Sequence, residues 1–229
     1  MISFTLSLGA EPRLIDFGWY TVPTYTNYSS TELLAPGKGE IGFGTSNFFM
    51  WCPNAGGYDV RTFDLLFRIG VLPHMELGIK YSSPHAMVLD ACGGFEAGRV
   101  ELTGSLGFGY LHYTKPLPPD SSLTCFYILD GYPTLALGYK IAPWLRAVVS
   151  CKGIISYYIR QIQWEGAQEM QFLNLYGGLG LTLDVGAGDW RIRPEIIPYK
   201  AASYSNLYSE PTRFHTTTLG VSVVYRPKG

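Results

Sequence analysis

Leu173-Asn-Leu-Tyr-Gly-Gly-Leu-Gly-Leu-Thr-Leu-Asp-Val185 alternates with a period of two. One face carries Leu173, Leu175, Leu179, Leu181, Leu183 and Val185; the other carries Asn174, Tyr176, Gly178, Gly180, Thr182 and Asp184. Such alternation specifies a strand with one apolar and one polar face, because successive strand side chains point to opposite sides. Its length suits a tilted strand crossing a bilayer, which takes about 9–11 residues. The pattern recurs elsewhere. Val100, Leu102, Leu106 and Phe108 oppose Glu101, Thr103, Ser105 and Gly107, while Phe63, Leu65, Phe67 and Ile69 oppose Asp64, Leu66 and Arg68.

Working outward, the period predicts strands over 40–49, 62–71, 74–81, 85–93, 99–113, 132–141, 145–159, 171–185, 190–202 and 216–226. The junctions at 72–73, 94–98, 142–144 and 186–189 are short. Those after the first, fifth, seventh and ninth strands are longer, and residues 115–130 hold Pro116-Leu-Pro-Pro119. The junction at 82–84 alone breaks the rule. An even strand number, with short turns at one end and longer loops at the other, is how an outer-membrane barrel is built.

Composition excludes other classes. Hydrophobic residues make up 47% and charged residues 15%, against a usual charged share of about 25%, which argues against disorder or a coiled coil. A net charge of -1 provides no basic field for nucleic acid. No apolar run approaches the roughly 20 residues of a membrane helix.

Alternation alone does not say which face meets water, since a soluble sandwich or lipocalin-type barrel would turn its apolar face inward. Two features favour the membrane. Phe95, Trp144 and Trp190 lie by the short turns, and Tyr81, Tyr110, Tyr113, Tyr157 and Tyr158 by the longer loops, where two bilayer interfaces call for amphipathic rings. Gly42, Gly44, Gly78, Gly107, Gly109, Gly138, Gly178 and Gly180 fall mostly on the polar face. There they would relieve crowding inside a closed, curved sheet.

These residues resemble a family. Arg68-Ile-Gly-Val-Leu-Pro-His-Met-Glu-Leu-Gly-Ile-Lys80 is similar to a hairpin of small bacterial outer-membrane β-barrel proteins of uncharacterised function. Pro36-Gly-Lys-Gly-Glu-Ile-Gly-Phe-Gly44 resembles their opening strand and Trp190-Arg-Ile-Arg-Pro-Glu195 their penultimate one. The likeness spans roughly residues 37–227 through degenerate patterns, not catalytic signatures. It departs where such barrels end on an aromatic residue, because Tyr225 is followed here by Arg226 to Gly229. Pro194 and Pro198 inside a strand are a second departure, as each lacks a ladder donor.

With the apolar face outward, the inward set holds seven acids: Glu40, Asp64, Glu76, Asp90, Glu101, Asp184 and Glu195. It also holds seven bases: Arg68, Lys80, Lys140, Arg146, Lys152, Arg191 and Arg193. Cross-strand pairing, with Asp64/Arg68 beside Glu76/Lys80 as the plainest case, would make a salt-bridged plug. A narrow ion path lined by Lys152, Arg191 and Arg193 is the alternative. The plug is favoured because small barrels are largely filled by side chains.

Catalysis finds little support. The outer-rim Asp/His pairs of omptin-type proteases have no counterpart, and Gly177-Gly-Leu-Gly180 precedes no helix and carries no phosphate-binding lysine. Ser83 and His112, with His85 nearby, are the Ser/His set that a rim lipid hydrolase would use, and a polar rim explains them as well. No Cys/His spacing suits a metal, and no cofactor is expected. Cys52 and Cys125 fall in loop-like segments where a disulfide is open to them in an oxidising compartment. Four free thiols used as small apolar residues is the favoured reading.

Residues 1–36 are expected as an extended N-terminal segment and 37–229 as the barrel domain. Met1-Ile-Ser-Phe-Thr-Leu-Ser-Leu8 lacks a basic start and is short for a signal peptide, so the full export signal is expected to lie outside this chain. Whether the segment plugs the lumen, extends the sheet or binds a neighbour stays open. The fold expected is all-β: a closed antiparallel transmembrane barrel of about ten strands in the bacterial outer membrane. Lipid is its expected partner, with an extracellular or envelope protein reached through the longer loops. The expected role is structural or adhesive, or that of a narrow channel.

Overall fold

A computed structural model describes residues 30–52, 56–82, 86–117, 122–163, 169–206 and 208–227. Ten strands form one closed antiparallel barrel. They are β1 (Gly39–Cys52), β2 (Gly56–Leu72), β3 (Met75–Ser82), β4 (Ala86–Ala97) and β5 (Val100–Leu117), then β6 (Ser122–Ala142), β7 (Leu145–Gln163), β8 (Glu169–Ala187), β9 (Trp190–Ser205) and β10 (Tyr208–Tyr225). Each strand pairs with its sequence neighbours, and β1 closes onto β10 with Ile41 opposite Tyr225 and Trp51 opposite His215.

The alternation sorts side chains as a membrane demands and a soluble barrel forbids. Ile41, Phe43, Phe63, Leu65, Phe67, Leu89, Phe108, Leu135, Leu137, Leu179 and Leu181 stand exposed on the outer wall. Glu40, Asp64, Glu76, Lys80, Glu101, Lys152, Asp184, Arg193 and Glu195 are buried inside. The lipocalin-type alternative, with its apolar face inward, is thereby overturned. On β8 the apolar belt runs from Leu173 to Val185. That is about 30 Å of height at ~3.3 Å per residue and ~40° tilt, a bilayer's hydrocarbon thickness.

Aromatic rings edge the belt. Phe95, Trp144 and Trp190 are exposed at the short-turn end, where Trp190 packs on Tyr225 at 5.0 Å between centroids. Tyr81, Tyr110 and Tyr157 are exposed toward the far end. Tyr158 is not an interface residue. As the neighbour of outward Tyr157 it points inward, is buried, and stacks on Phe172. The Tyr113 side chain lies outside the described residues.

Strands reach farther than alternation predicts. Most of 115–130, expected as a loop, continues β5 and β6 as a paired hairpin in which Leu117 opposes Ser122. Residues 203–215, also left as a loop, carry the end of β9 and the start of β10. Beyond the hydrocarbon the outer face no longer needs to be apolar, so the two-residue period fades while backbone pairing continues. Pro133, Pro194 and Pro198 are accommodated at gaps in one ladder each: β6–β7 skips Pro133, and β8–β9 skips Pro194 and Pro198.

The backbones of Cys52 on β1 and Cys125 on β6 lie five strands apart round the ring. At ~4.8 Å spacing and ~40° tilt that is a barrel diameter of roughly 20 Å, beyond the ~7 Å a disulfide spans. That pairing is corrected. Cys92 is a buried free thiol and Cys151 an exposed one.

Candidate functional site: the charged lumen and its N-terminal strap

Even-numbered positions, starting with Glu40, point into the lumen on all strands but β5 and β9, where odd numbers do. There Glu40 takes a bidentate contact from Arg193, at 2.9 and 3.0 Å, across the β1–β10–β9 wall, and a second guanidinium from Arg226. Asp184 receives Arg191 at 3.2 Å, with Arg146 and Arg193 each at 3.4 Å. Glu101 meets Arg146 at 2.7 Å and Lys140 at 3.2 Å, and Lys140 also reaches exposed Glu96. Arg68 pairs with Glu76 at 3.2 Å and with Asp90.

The cross-strand pairing expected of these residues is met between Arg68 and Glu76. Arg68 reaches on to Asp90 as well, while Asp64 accepts from Ser82. Toward the barrel's middle, Lys152 bonds Glu195, which also accepts from Thr182 at 3.0 Å. Lys80 lies in the field of Asp64.

The N-terminal strap is what the sequence did not disclose. Residues 30–36 lie inside the short-turn mouth. Ser30 donates to Asp184 at 3.0 Å and Thr31 to Glu101 at 2.5 Å, and the Leu34 amide donates to Glu76 at 3.1 Å. The Leu34 side chain is buried. Glu32 faces three guanidiniums: Arg191 at 2.7 Å, with Arg146 and Arg226 each at 3.1 Å. Burial alone would raise the Glu32 carboxyl, but Arg226, Arg146 and Arg191 together hold it below its ordinary range.

Two inner-face glycines make room for the strap. A side chain at Gly138 would collide with Thr31, and one at Gly70 with the Leu34 and Ala35 carbonyls. Gly37, at φ 76°, then turns the chain into β1. Glu32, Glu40, Glu76, Asp90, Glu101 and Asp184 face Arg68, Lys140, Arg146, Arg191, Arg193 and Arg226 in this layer. The acids match the bases only with Glu32 included. Arg226 could have been found by extending the inward parity of Val224. Nothing in the pattern around Glu32 marks it.

Above the ion pairs lies an apolar layer of Phe48, Val88, Tyr132, Ile154, Tyr176, Ile197, Tyr199 and Phe214. Tyr176 meets Phe214 and Tyr199 edge-on. A second cluster, Leu111, Ile128, Tyr158 and Phe172, lies nearer the far end. Ser83 and His85, and the His112 side chain, lie outside the described residues. Among the described residues no group of three or more His, Cys, Asp or Glu could hold a metal.

A closed ten-stranded barrel, apolar outside and ion-paired within, is a transmembrane β-barrel of outer-membrane type. In structure it is similar to small bacterial outer-membrane barrels. One is the attachment invasion locus protein Ail of Yersinia pestis, at 10% identity over 84% of this chain and 100% of that one, with a TM-score of 0.44. Another is the outer membrane protease OmpT of Escherichia coli, at 8% identity over 86% and 100%, with a TM-score of 0.47. Neisserial surface protein A matches at 7% identity over 82% and 97%, with a TM-score of 0.43. No family model matches the chain, and no curated protein resembles its sequence. Likenesses of this size bear on architecture and on nothing those proteins do.

Proposed function

We propose that the protein is a closed, non-conducting barrel of the bacterial outer membrane, ringed by lipid, that serves as a structural or adhesive scaffold. One observation carries this reading: the lumen is crossed by two successive filled layers. The ion-paired layer is completed by the strap, and the apolar layer above it includes Tyr132 and Ile197, each at 0% exposure. An ion would have to break buried pairs and then pass a desolvated layer, each step costing several kcal/mol.

The far rim supports a role in presentation. On β5 the outward apolar side chains end at Tyr110, yet the β5–β6 hairpin stays paired to Leu117. It therefore rises roughly 20 Å above the belt at ~3.3 Å per residue and ~40° tilt. A paired ribbon at that height suits contact with an extracellular or envelope protein. Single-channel recording on the full chain in planar bilayers tests the proposal. Silence from barrels shown to be inserted is expected. Discrete steps whose ion selectivity shifts in Lys152→Ala or Arg191→Ala would instead establish a narrow channel.

A further inference from the structure

We propose that the lumen between the two apolar clusters binds a monovalent alkali cation, held by oxygen atoms of Asp130, Ser156 and Asn174. Register places these side chains in one row across neighbouring strands. Asp130 on β6 is opposite Ser156 on β7, Ser156 is opposite Asn174 on β8, and Asn174 is opposite Ser203 on β9. All four are buried inside the barrel. Asp130 Oδ2 accepts from the Tyr132 hydroxyl at 2.7 Å. Asn174 Oδ1 and Ser203 Oγ are buried without a hydrogen-bond partner, and Asp130 Oδ1 and Ser156 Oγ have none beyond each other. Buried polar atoms so short of partners are rare singly, and a row of them on adjacent strands points to a shared guest.

The charge of that guest follows from Asp130. Glu40, Glu76, Asp90, Glu101, Asp184 and Glu195 each face a base. No base among the described residues pairs with Asp130. The next inward positions toward the short turns are Tyr132, Ile154 and Tyr176, which separate the row from Lys152. On the other side stand Ile128, Tyr158 and Phe172. A carboxylate between such layers is costly until a positive charge reaches it. Carboxylate, amide and hydroxyl oxygens suit hard cations. A single carboxylate balances a single charge, and a divalent ion would leave the site positive in a poorly solvated interior.

The test is urea unfolding of the full chain in phosphatidylcholine vesicles, in NaCl, KCl or choline chloride at equal concentration. At least one alkali salt should raise the midpoint above that in choline. At ten times its dissociation constant the ion raises the folded-to-unfolded ratio about elevenfold. Asp130→Asn, which keeps shape and an acceptor, should abolish the difference. Ser156→Ala, which keeps the charge, should reduce it and serves if Asp130→Asn does not insert. Equal midpoints in all three salts, or a difference undiminished in these variants, overturns the proposal.

Discussion

Replacing Glu32 by Ala should release the strap from the barrel mouth without unfolding the barrel. Glu32 touches Arg146, Arg191 and Arg226 within 3.1 Å, but 33% of its side chain is exposed. Each contact is therefore discounted to about 0.5–1 kcal/mol, the value of partly solvated pairs, giving about 2 kcal/mol in all. At tenfold per ~1.4 kcal/mol, the docked-to-released ratio should fall about thirtyfold. The reporter is the buried Leu34 amide, which donates to Glu76 and can exchange with solvent only after the strap lifts. Hydrogen–deuterium exchange at Leu34 should accelerate about thirtyfold, with the β6–β7 ladder still protected. Glu32→Gln should behave like Ala if charge holds the strap, and like wild type if packing does. An exchange rate within threefold of wild type in Glu32→Ala would refute the argument that these three pairs fasten the strap.

Acid should loosen the strap in the same sense. Because the folded Glu32 carboxyl is held below its unfolded value, its stabilisation is full above the ordinary carboxylate range and is lost as pH falls from there through the lowered folded value. Leu34 exchange, corrected for intrinsic rates, should rise on acidification in wild type and be flatter in Glu32→Gln. Lys152→Ala takes the bonded ammonium from buried Glu195 and should cost about 3–5 kcal/mol in urea unfolding, whereas Lys152→Met with Glu195→Leu should recover most of it. His74 holds φ 64° in an exposed two-residue turn, so His74→Gly should stabilise the barrel by about 1 kcal/mol by the same measurement.

Strand number, sidedness and the short turns are written in the sequence because each is enforced by a repeating contact with lipid. Leu173 to Val185 can be read as a strand since every second residue must be apolar. Outside the hydrocarbon that constraint lapses, so Lys115 to Leu117 and Ser122 to Leu123 read as loop although their backbones pair. Inward charges are legible for the same reason, as the complement of an apolar face. Their partners are not: Arg68 reaches Asp90 two strands away, past Gly78, a choice made by side-chain reach across a curved wall. The strap is less legible still. Ser30, Thr31, Glu32 and Leu34 each bond a different part of the wall, and so many separate contacts leave no period behind.

Why the lumen holds ion pairs at all is a question of register rather than of stability. Buried pairs such as Lys152–Glu195 gain little over well-packed apolar residues, because desolvation offsets most of their attraction. A barrel wall, however, is a sheet whose two faces differ only by parity, and a slip of one residue turns every side chain over. Sliding β9 by one position would carry Arg191, Arg193 and Glu195 into the lipid. A misplaced arginine costs about 2–4 kcal/mol at the bilayer's middle and about 0–1 kcal/mol near its interface, where Arg191 stands beside Trp190. It would also take Arg193 from buried Glu40 and Glu195 from buried Lys152. An interior filled only with leucine would bear the same slip at far smaller cost, since its two faces would be alike. The charges therefore act mainly against the wrong barrel, and by matching Glu32 they also fix where the strap may sit.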